Sequence, residues 1–553
     1  MSASIPGRPA LLRWGAMSLL ALACAGAVLA GHDSRRAAQV GLLVLPVLLW
    51  LLWPIERLAW RRVRWVTAFV VISAFLVDGA VRAFLQNQYQ AAPDSSLVLA
   101  AAANTTPRES IEYLTSQVPA MAMAVAALIG MLALTGVAIT LATRASGALG
   151  ASGNQAVLSR RARIALLVVL AVCALAHLSK PWRRHHPLLF WPAWTQQVAD
   201  LRANWADQQV QREQLMRNAR AASPAVATGS PSTVMLVLGE SVNRDNMGLY
   251  GYARPTTPEL IALRDEERAK LLTLRHAWST QATTVASLSG LFSFGERDED
   301  DPAGRTQHLI ALAKSAGYKV WWVSNHDDVA VDQQHARLAD VVEMINRQPG
   351  RSSGSLDEDL LDEVEQALAD PTPRKLVVVH LLGAHPHYRL RMPPGEHPFD
   401  DQDGDAVDAA MARDGRAAWV REFRQDYDSA IHYHDRIVAR TLRLTRSHLP
   451  AGGHGAWMFL SDHGQEVGHS LDHAGHSPGT ASGYRIPALL WRSGSGFEAS
   501  TASRPFRADW AGWTLAELMQ LRWPGMHDER NVLHPAYAWE APALPVKNVR
   551  FEQ

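Results

Sequence analysis

Five long apolar runs fill the first third of this 553-residue chain and restrict what it can fold into. They cover approximately residues 11–30, 39–56, 65–85, 120–143 and 162–179. Each is close to the roughly 20 residues that an α-helix needs to cross the hydrocarbon core of a bilayer. A cleaved secretory signal would explain at most the first run. The sequence therefore predicts a transmembrane domain of five helices over residues 1–180.

Arginines on alternate connections predict how these helices are oriented. Arginines precede the first run and follow the second and fourth runs, at Arg8, Arg13, Arg57, Arg61, Arg62, Arg64, Arg144, Arg160, Arg161 and Arg163. The other connections carry fewer, namely Arg35, Arg36 and Arg108. Because positive residues concentrate on the cytoplasmic side, the N-terminus is predicted to be cytoplasmic, and residues after about 180 lie on the opposite side. In a bacterium this is a multi-pass inner-membrane protein whose larger part lies in the periplasm.

The charge balance and the cysteines exclude several kinds of site. A formal net charge of +1 gives no indication of a nucleic-acid partner. The two cysteines, Cys24 and Cys173, both fall within predicted membrane helices. The remainder of the chain therefore has no disulfide framework, no thiolate metal site and no cysteine nucleophile.

The soluble part begins after an interfacial segment and linker at 181–232, which starts rich in Trp and Arg and ends rich in Ala, Ser and Pro. In residues 233–553, apolar strands are predicted at 233–238, 318–323, 375–381, 456–460 and 486–491. Helices are predicted between them, at 303–316, 355–369, 417–446 and 508–520. This alternation predicts an α/β domain with a mostly parallel central sheet covered on both faces.

Polar side chains follow three of these strands. Glu240 follows the first, His380 and His385 come at the third, and Asp462-His463 follow the fourth. Further candidates come soon after, at His469, Asp472, His473 and His476. The carboxyl ends of parallel strands share one rim, where open α/β sheets bind ligands. Carboxylates with imidazoles suit zinc or manganese, and the absence of thiolates favours a catalytic metal site. The alternatives are a solvated glutamate in a βα turn and a histidine with a structural role.

A hydroxyl-rich segment at residues 278–293 offers a nucleophile. Metal coordination lowers the pKa of a hydroxyl and activates it. The alternative is a helix start that Thr283 or Thr284 merely caps. The two roles are compatible, since a helix N-terminus also favours the negative charge of a phosphate.

Several segments together resemble a known family. They are GESVNRDNMGLYGYARPTTP, the hydroxyl-rich segment, HLLGAHPHY, YDSAIHYHD and FLSDHGQEVG, in that order after five membrane helices. The chain resembles the phosphoethanolamine transferases of the alkaline phosphatase and sulfatase superfamily over nearly its whole length. The resemblance implies a zinc enzyme that takes phosphoethanolamine from phosphatidylethanolamine onto a threonine and passes it to lipopolysaccharide.

The resemblance also implies roles for individual residues. The zinc ligands would be Glu240, Thr284, Asp462 and His463, and Mn²⁺ is a less favoured metal. Thr283 is the alternative nucleophile. The substrate-side histidines would be His385 and His476, with His473 as the alternative to the second. Thr105 and Glu109 resemble conserved polar residues of the loop between the third and fourth helices.

Departures from the family pattern concern the acceptor. Lipid A-modifying members carry periplasmic disulfides, which this chain lacks, and an asparagine where this chain has Ala101. The segment YGYARPTTP is closer to members that modify heptose in the lipopolysaccharide core. A phosphoglycerol transferase acting on a periplasmic glycan, or a related phosphodiester hydrolase, is the alternative enzyme. The Cys/Ser-x-Pro-x-Arg motif of hydrolytic sulfatases is absent, and a non-enzymatic membrane sensor is a further alternative.

Overall fold

The computed structural model describes the chain from residue 8 to residue 552, apart from a set of short segments. Those segments are residues 54, 56, 90, 107–109, 113, 114, 116, 117, 152–159, 207, 295–305, 327, 346–354, 401–403 and 548. The chain forms two compact units: residues 1–87, 91–99 and 113–200 in the first, and 88–90, 100–112 and 201–553 in the second.

The first unit is helical. Its helices, with those that lead into the second unit, are α1 (Arg8–Gly31), α2 (Ser34–Leu51), α3 (Leu58–Tyr89), α4 (Ser96–Asn104), α5 (Val118–Ala151), α6 (Arg160–Leu178), α7 (Lys180–Arg183), α8 (Pro187–Ala206) and α9 (Gln209–Ala222). Each of the five predicted apolar runs coincides with a helix. Three spans are long and apolar enough to cross a membrane: Leu12–Gly31, Leu58–Asn87 and Ala122–Thr143. The shorter apolar helices Arg36–Leu51 and Arg163–Leu178 do not reach that length within the described residues, so five crossings stay a prediction.

A buried ion pair lies inside this helical unit. Arg82 donates to Asp78 over 2.8 Å, one turn apart on α3. Trp191 on α8 donates its indole N–H to the same carboxylate over 3.0 Å, and Phe190 covers the guanidinium at 4.1 Å. The aromatic segment that was predicted to be interfacial therefore packs onto the charged end of α3.

The second unit contains a seven-stranded sheet with the order β3-β11-β8-β2-β7-β5-β6. Its strands are β2 (Ser232–Gly239), β3 (Leu271–Thr273), β5 (Lys319–Ser324), β6 (Val341–Met344), β7 (Arg374–His380), β8 (His454–Ser461) and β11 (Ala488–Arg492). Strands β8, β2, β7, β5 and β6 are mutually parallel, whereas β11 is antiparallel to both β8 and β3. The prediction of a mostly parallel sheet is confirmed. Short strand pairs lie outside it: β1 (Ala225–Val226), β4 (His276–Trp278), β9 (Glu466–Val467), β10 (Ala474–Gly475), β12 (Pro505–Arg507) and β13 (Leu521–Arg522).

The central strand β2 shows why the strands read as continuous apolar runs. Val234, Leu236 and Leu238 pack into the core on one face of the sheet, and Met235 and Val237 pack into the core on the other. Successive side chains point to opposite faces, so a strand covered on both faces needs apolar residues at every position. Helices supply the cover: α10 (Pro258–Glu267), α11 (Thr284–Ser293), α12 (Leu309–Ser315), α13 (Val329–Gln334), α14 (Leu361–Ala369), α15 (Ala406–Arg413), α16 (Ala418–Ser447) and α17 (Ala511–Leu518).

The register of the sheet brings the predicted site residues to one rim. Leu238 on β2 pairs with His380 on β7, and Gly239 pairs with Ser461 on β8. Glu240 therefore leaves the central strand between His380 on one side and Asp462 on the other.

The segment after β2 is held by the long helix α16. Asp428 on this helix accepts hydrogen bonds from Asn246 (2.8 Å), from the hydroxyl of Tyr252 (2.7 Å) and from Arg254 (2.8 Å). Arg254 also donates to Asp405 over 2.8 Å. The buried Asp428 thus ties together three residues of the segment DNMGLYGYAR.

We expect Asp428→Ala to destabilise the second unit by roughly 3–5 kcal/mol, because it leaves the buried side of Arg254 without its counter-charge. The measurement is the thermal unfolding of the detergent-solubilised full chain, monitored by tryptophan fluorescence.

Arg443→Ala is the matched control on the same helix. Arg443 pairs with Glu259 over 2.6 Å, but both side chains are more than a third exposed. An exposed pair contributes about 0–1 kcal/mol. Equal losses in the two variants would contradict a special role for Asp428.

Candidate active site

Glu240 begins a sharply bent turn at the carboxyl end of β2. Its side chain is fully buried, and Ser241 adopts a left-handed conformation at φ 60°. A non-glycine residue in this region costs free energy and persists only where its surroundings hold it. Here the hydroxyl of Tyr427 donates to the Ser241 carbonyl over 2.6 Å and accepts from the Asn243 N–H over 2.9 Å. The turn is therefore clamped from α16.

The loop after β7 packs directly against this turn. The N–H of Ala384 donates to the Glu240 carbonyl over 2.9 Å. A Cβ on Gly383 would approach the Glu240 backbone N and O to 2.8 Å, so the close contact requires glycine. Asp357 holds the loop from behind, since its carboxylate accepts from the N–H groups of Leu382 (2.9 Å) and Gly383 (2.8 Å).

Thr284 is the predicted hydroxyl that lies beside Glu240. Its Oγ1 donates to Glu240 Oε2 over 2.8 Å, and it is the first residue of α11. Thr283 precedes it in an extended conformation, and its side chain caps no backbone N–H in the described part of the chain. The choice of Thr284 over Thr283 stays a prediction, but of these two threonines it is Thr284 whose hydroxyl bonds to the Glu240 carboxylate.

Asp462 and His463 complete one wall of the site. His463 Nε2 lies 3.3 Å from Glu240 Oε1 and 3.4 Å from Asp462 Oδ2. Its Nδ1 lies 2.8 Å from the Gly464 carbonyl oxygen, which fixes the ring with Nε2 towards the carboxylates. Asp462 Oδ1 accepts from the N–H groups of Ser241 (3.1 Å) and His463 (2.7 Å).

Burial and neighbouring charges shift the pKa values of these side chains. Burial raises the pKa of Asp462, and the nearby Glu240 carboxylate raises it further, to about 7. Burial opposes the charge on His463, but Asp462 and Glu240 outweigh it and raise its pKa to about 9. Glu240 itself keeps its charge, because His463, His326 and His385 outweigh its burial and hold its pKa well below the usual value.

The residues present fit a metal ion. Asp462 Oδ2 and His463 Nε2 are buried without a hydrogen-bond partner among the described residues, although both point towards Glu240. Three oxygens from Glu240, Thr284 and Asp462 with one imidazole nitrogen form a donor set that suits zinc. Glu240, His463 and His476 also place one ligand atom each within 4.8 Å of one another.

The two histidines predicted to lie on the substrate side, His385 and His476, lie next to this wall. His476 packs edge-on against His463 with ring centroids 4.6 Å apart, and His385 lies 6.4 Å from His476. Burial lowers the pKa of His476 to about 3 and that of His385 well below its usual value, so both are neutral near pH 7. The alternative, His473, contacts the backbone of His476: its Nε2 lies 3.1 Å from the His476 carbonyl oxygen. Glu109 lies outside the described residues, and Thr105 bonds to the Ala101 carbonyl at the end of α4.

The sequence analysis missed one residue of this rim. His326 follows β5 after the polar residues Ser324 and Asn325, and its ring stacks on His380 with centroids 4.0 Å apart. The signal was present, because the segment SNHDD follows a predicted strand as GES and SDH do.

We expect the zinc ion held by Glu240, Thr284, Asp462 and His463 to release between about one and two protons as it binds at pH 7, because His463 is protonated there and Asp462 is half protonated. The measurement is isothermal titration calorimetry of the full chain in buffers with different heats of ionisation.

His463→Gln should lower the number of released protons by about one, since glutamine carries no titrating proton. A binding heat that does not depend on the buffer would contradict the protonation states given above.

Comparison with known proteins places this geometry in context. The sulfatase family profile matches residues 232–509. Phosphoethanolamine transferase EptC of Escherichia coli K12 is 30% identical over 323 residues, which are 56% of this chain and 54% of that protein. The chain thus spans about half the length of the curated relatives it matches.

Two solved structures are similar. The zinc complex of the C-terminal periplasmic domain of Escherichia coli EptC is 29% identical with a TM-score of 0.52, over 57% of this chain and 90% of that one. The integral membrane lipooligosaccharide phosphoethanolamine transferase A of Neisseria meningitidis is 18% identical and shares the fold, with a TM-score of 0.60 over 93% of this chain and 98% of that one. Since the sulfatase profile covers just over half of the 553 residues, the chain belongs to the sulfatase family, and within it the chain is similar to phosphoethanolamine transferases.

Proposed function

We propose that this chain is a zinc-dependent phosphoethanolamine transferase. It moves phosphoethanolamine from phosphatidylethanolamine to lipopolysaccharide through a phosphothreonine at Thr284. The observation that carries this proposal is the hydroxyl of Thr284 on the buried Glu240 carboxylate, beside Asp462 and His463. The relatives named above carry the same activity in their names.

The reaction is a pair of displacements at phosphorus. Thr284 Oγ1 forms a bond to the phosphorus of the lipid headgroup, and the bond from phosphorus to the diacylglycerol oxygen breaks. An acceptor oxygen then attacks phosphorus, and the threonine oxygen leaves. A bound zinc ion would lower the pKa of the hydroxyl and offset charge on the phosphoryl oxygens. Thr284 is also the first residue of α11, and the N-terminus of a helix favours a phosphate.

His385 and His476 serve the leaving groups. Both rings are neutral near pH 7, so each can donate one hydrogen bond to a phosphoryl oxygen and accept another. A neutral imidazole beside the phosphate can also deliver a proton to the departing oxygen once it has gained one from the attacking hydroxyl. Their position next to His463 keeps this proton transfer close to the phosphorus.

A lipid donor gives a reason for the helical unit, because such a donor lies in the membrane. We propose five membrane crossings over residues 1–180, an interfacial segment and linker at 181–232, and a periplasmic catalytic domain at 233–553. The arginine distribution favours a cytoplasmic N-terminus, and in a bacterium this orientation corresponds to the inner membrane. On the acceptor side, the resemblance of YGYARPTTP favours a core sugar over lipid A.

Part of the loop after α3 belongs to the catalytic unit and supports a role in donor binding. Arg391, eleven residues after His380, forms an ion pair with Glu112, and both side chains are largely buried. Asn104 accepts a hydrogen bond from the N–H of Ala330 at the start of α13, over 3.4 Å. These contacts hold the loop against the rim that carries the site.

The central test replaces the nucleophile. We expect Thr284→Ala to lower transfer at least ~1000-fold, because no other hydroxyl touches Glu240 Oε2 among the described residues. Thr283→Ala should retain activity within about threefold. The readout is the mass of lipopolysaccharide from cells that express each variant, with a gain of one phosphoethanolamine expected for the unmodified chain. Full activity in Thr284→Ala, with loss in Thr283→Ala, would contradict the proposal.

Mass spectrometry of the peptide that contains Thr284 separates the alternatives. Phosphoethanolamine on Thr284 supports the proposal, and glycerol phosphate identifies a phosphoglycerol transferase. Cleavage of the lipid donor without any modification of the acceptor identifies a hydrolase. If the purified chain does not cleave the donor at all, it is a binding protein.

A second prediction concerns the loop. We expect Glu112→Ala to raise the KM for the lipid donor severalfold with unchanged zinc content, because it releases the loop without touching the metal ligands. Kinetics with lipid vesicles and elemental analysis measure the two quantities. Glu213→Ala, which removes an exposed helical pair with Arg217, is the control and should change neither. An unchanged KM in Glu112→Ala would contradict this role.

A further inference from the structure

A second cluster of ligating side chains lies on the other side of Glu240. Glu240, His326 and His380 each place one ligand atom within 4.8 Å of the others, and all three residues are buried. The first set consists of Glu240, Thr284, Asp462 and His463, and Glu240 is the one residue that belongs to both sets. The two sets therefore lie on either side of one shared carboxylate.

The two oxygens of Glu240 lie near different imidazoles. Oε1 lies 3.3 Å from His463 Nε2, whereas Oε2 lies 3.9 Å from His326 Nε2 and also accepts the hydroxyl of Thr284 over 2.8 Å. A carboxylate with an imidazole of a different set beside each oxygen has the arrangement of a bridging ligand. Enzymes that act on phosphate esters use pairs of metal ions about 3.5–4 Å apart, one on each side of such a bridge.

His380 supplies the second observation. It is fully buried, and its Nε2 has no hydrogen-bond partner among the residues that the structure describes. A buried polar atom without a partner costs free energy and calls for a ligand. The other ring nitrogen, Nδ1, lies 3.5 Å from the hydroxyl of Ser324 on the adjacent strand. That contact leaves Nε2 as the nitrogen available to bind an ion.

His326 has the surroundings of a metal-binding histidine. Its Nδ1 lies 3.7 Å from Asp328 Oδ2, on the side away from Glu240. Metal-ligating histidines commonly direct their second ring nitrogen at a carboxylate, which orients the ring. Its Nε2 lies 2.9 Å from the Leu381 carbonyl oxygen, a hydrogen bond that an ion would replace. The stacked His326 and His380 rings are nearly parallel, at 8°, so one of them has to rotate before both rings can direct a nitrogen at one ion.

From this geometry we infer that Glu240, His326 and His380 hold a second metal ion, with Glu240 bridging the two. Two imidazoles and a carboxylate, without thiolates, suit zinc. The second ion would lie on the β5 and β7 side of the site, away from Asp462 and His463. This inference deepens the proposed function and rests on it only through the shared Glu240.

The test is the zinc content of the detergent-solubilised full chain after equilibration with excess zinc and gel filtration, measured by elemental mass spectrometry. We expect two zinc ions per chain for the unmodified protein and one for His326→Gln and for His380→Gln. Asp462→Asn should also lose one, from the other set. His454→Gln, at the opposite end of β8, is the matched control and should keep two.

Thermal unfolding of each variant shows whether that variant is folded. A second measurement uses no variant: the unmodified chain is titrated with Co²⁺. Two cobalt ions that share one carboxylate couple magnetically, so the electron paramagnetic resonance signal of the first should fall as the second binds. One zinc ion per chain in the unmodified protein, or two in both histidine variants, would overturn the second site. Transfer activity with one zinc ion would reject the second site alone, whereas two zinc ions without transfer would reject the proposed function alone.

Discussion

The buried carboxylate of Glu240 is the constraint on which the rest of the second unit depends. A charged group in the interior costs several kcal/mol unless it is paired and hydrogen-bonded. Because Glu240 leaves the central strand of the sheet, its partners have to come from neighbouring strand ends and from the helices behind them. The hydroxyls of Ser241 and Thr284 donate to its two oxygens over 2.7 and 2.8 Å, and His463 lies at 3.3 Å. Stabilising this one charge therefore brings together the proposed nucleophile and the proposed metal ligands.

The long helix α16 explains why distant motifs occur together. Asp428 binds the segment after β2, and Asp435 accepts the N–H groups of Glu259 (2.7 Å) and Leu260 (3.0 Å) at the start of α10. Tyr427 of the same helix holds the strained Ser241. The residues of YDSAIHYHD thus position those of GESVNRDNMGLYGYARPTTP, and none of these contacts requires a role in the chemistry.

Much of the fold was predictable because burial on both faces leaves a strong signal. Strands β2, β7 and β8 read as continuous apolar runs, and the polar residue that follows each one stood out. The short strands β3 and β6 carried no such signal, and the antiparallel direction of β11 depends on tertiary pairing. Within the site, Glu240 and Asp462-His463 followed from strand ends. The position of Thr284 relative to Glu240 depends on how α11 begins, and that of His326 on a polar segment without periodicity.

Asp357 anchors two separate segments of the site. Its carboxylate accepts the N–H groups of Leu382 and Gly383 after β7 and also the side-chain amide of Asn325 after β5, over 2.9 Å. The segment that carries His326 and the loop that carries His385 therefore share one anchor. The two segments are therefore coupled through one carboxylate: a substitution of Asp357 that releases the loop after β7 also releases the segment that carries His326.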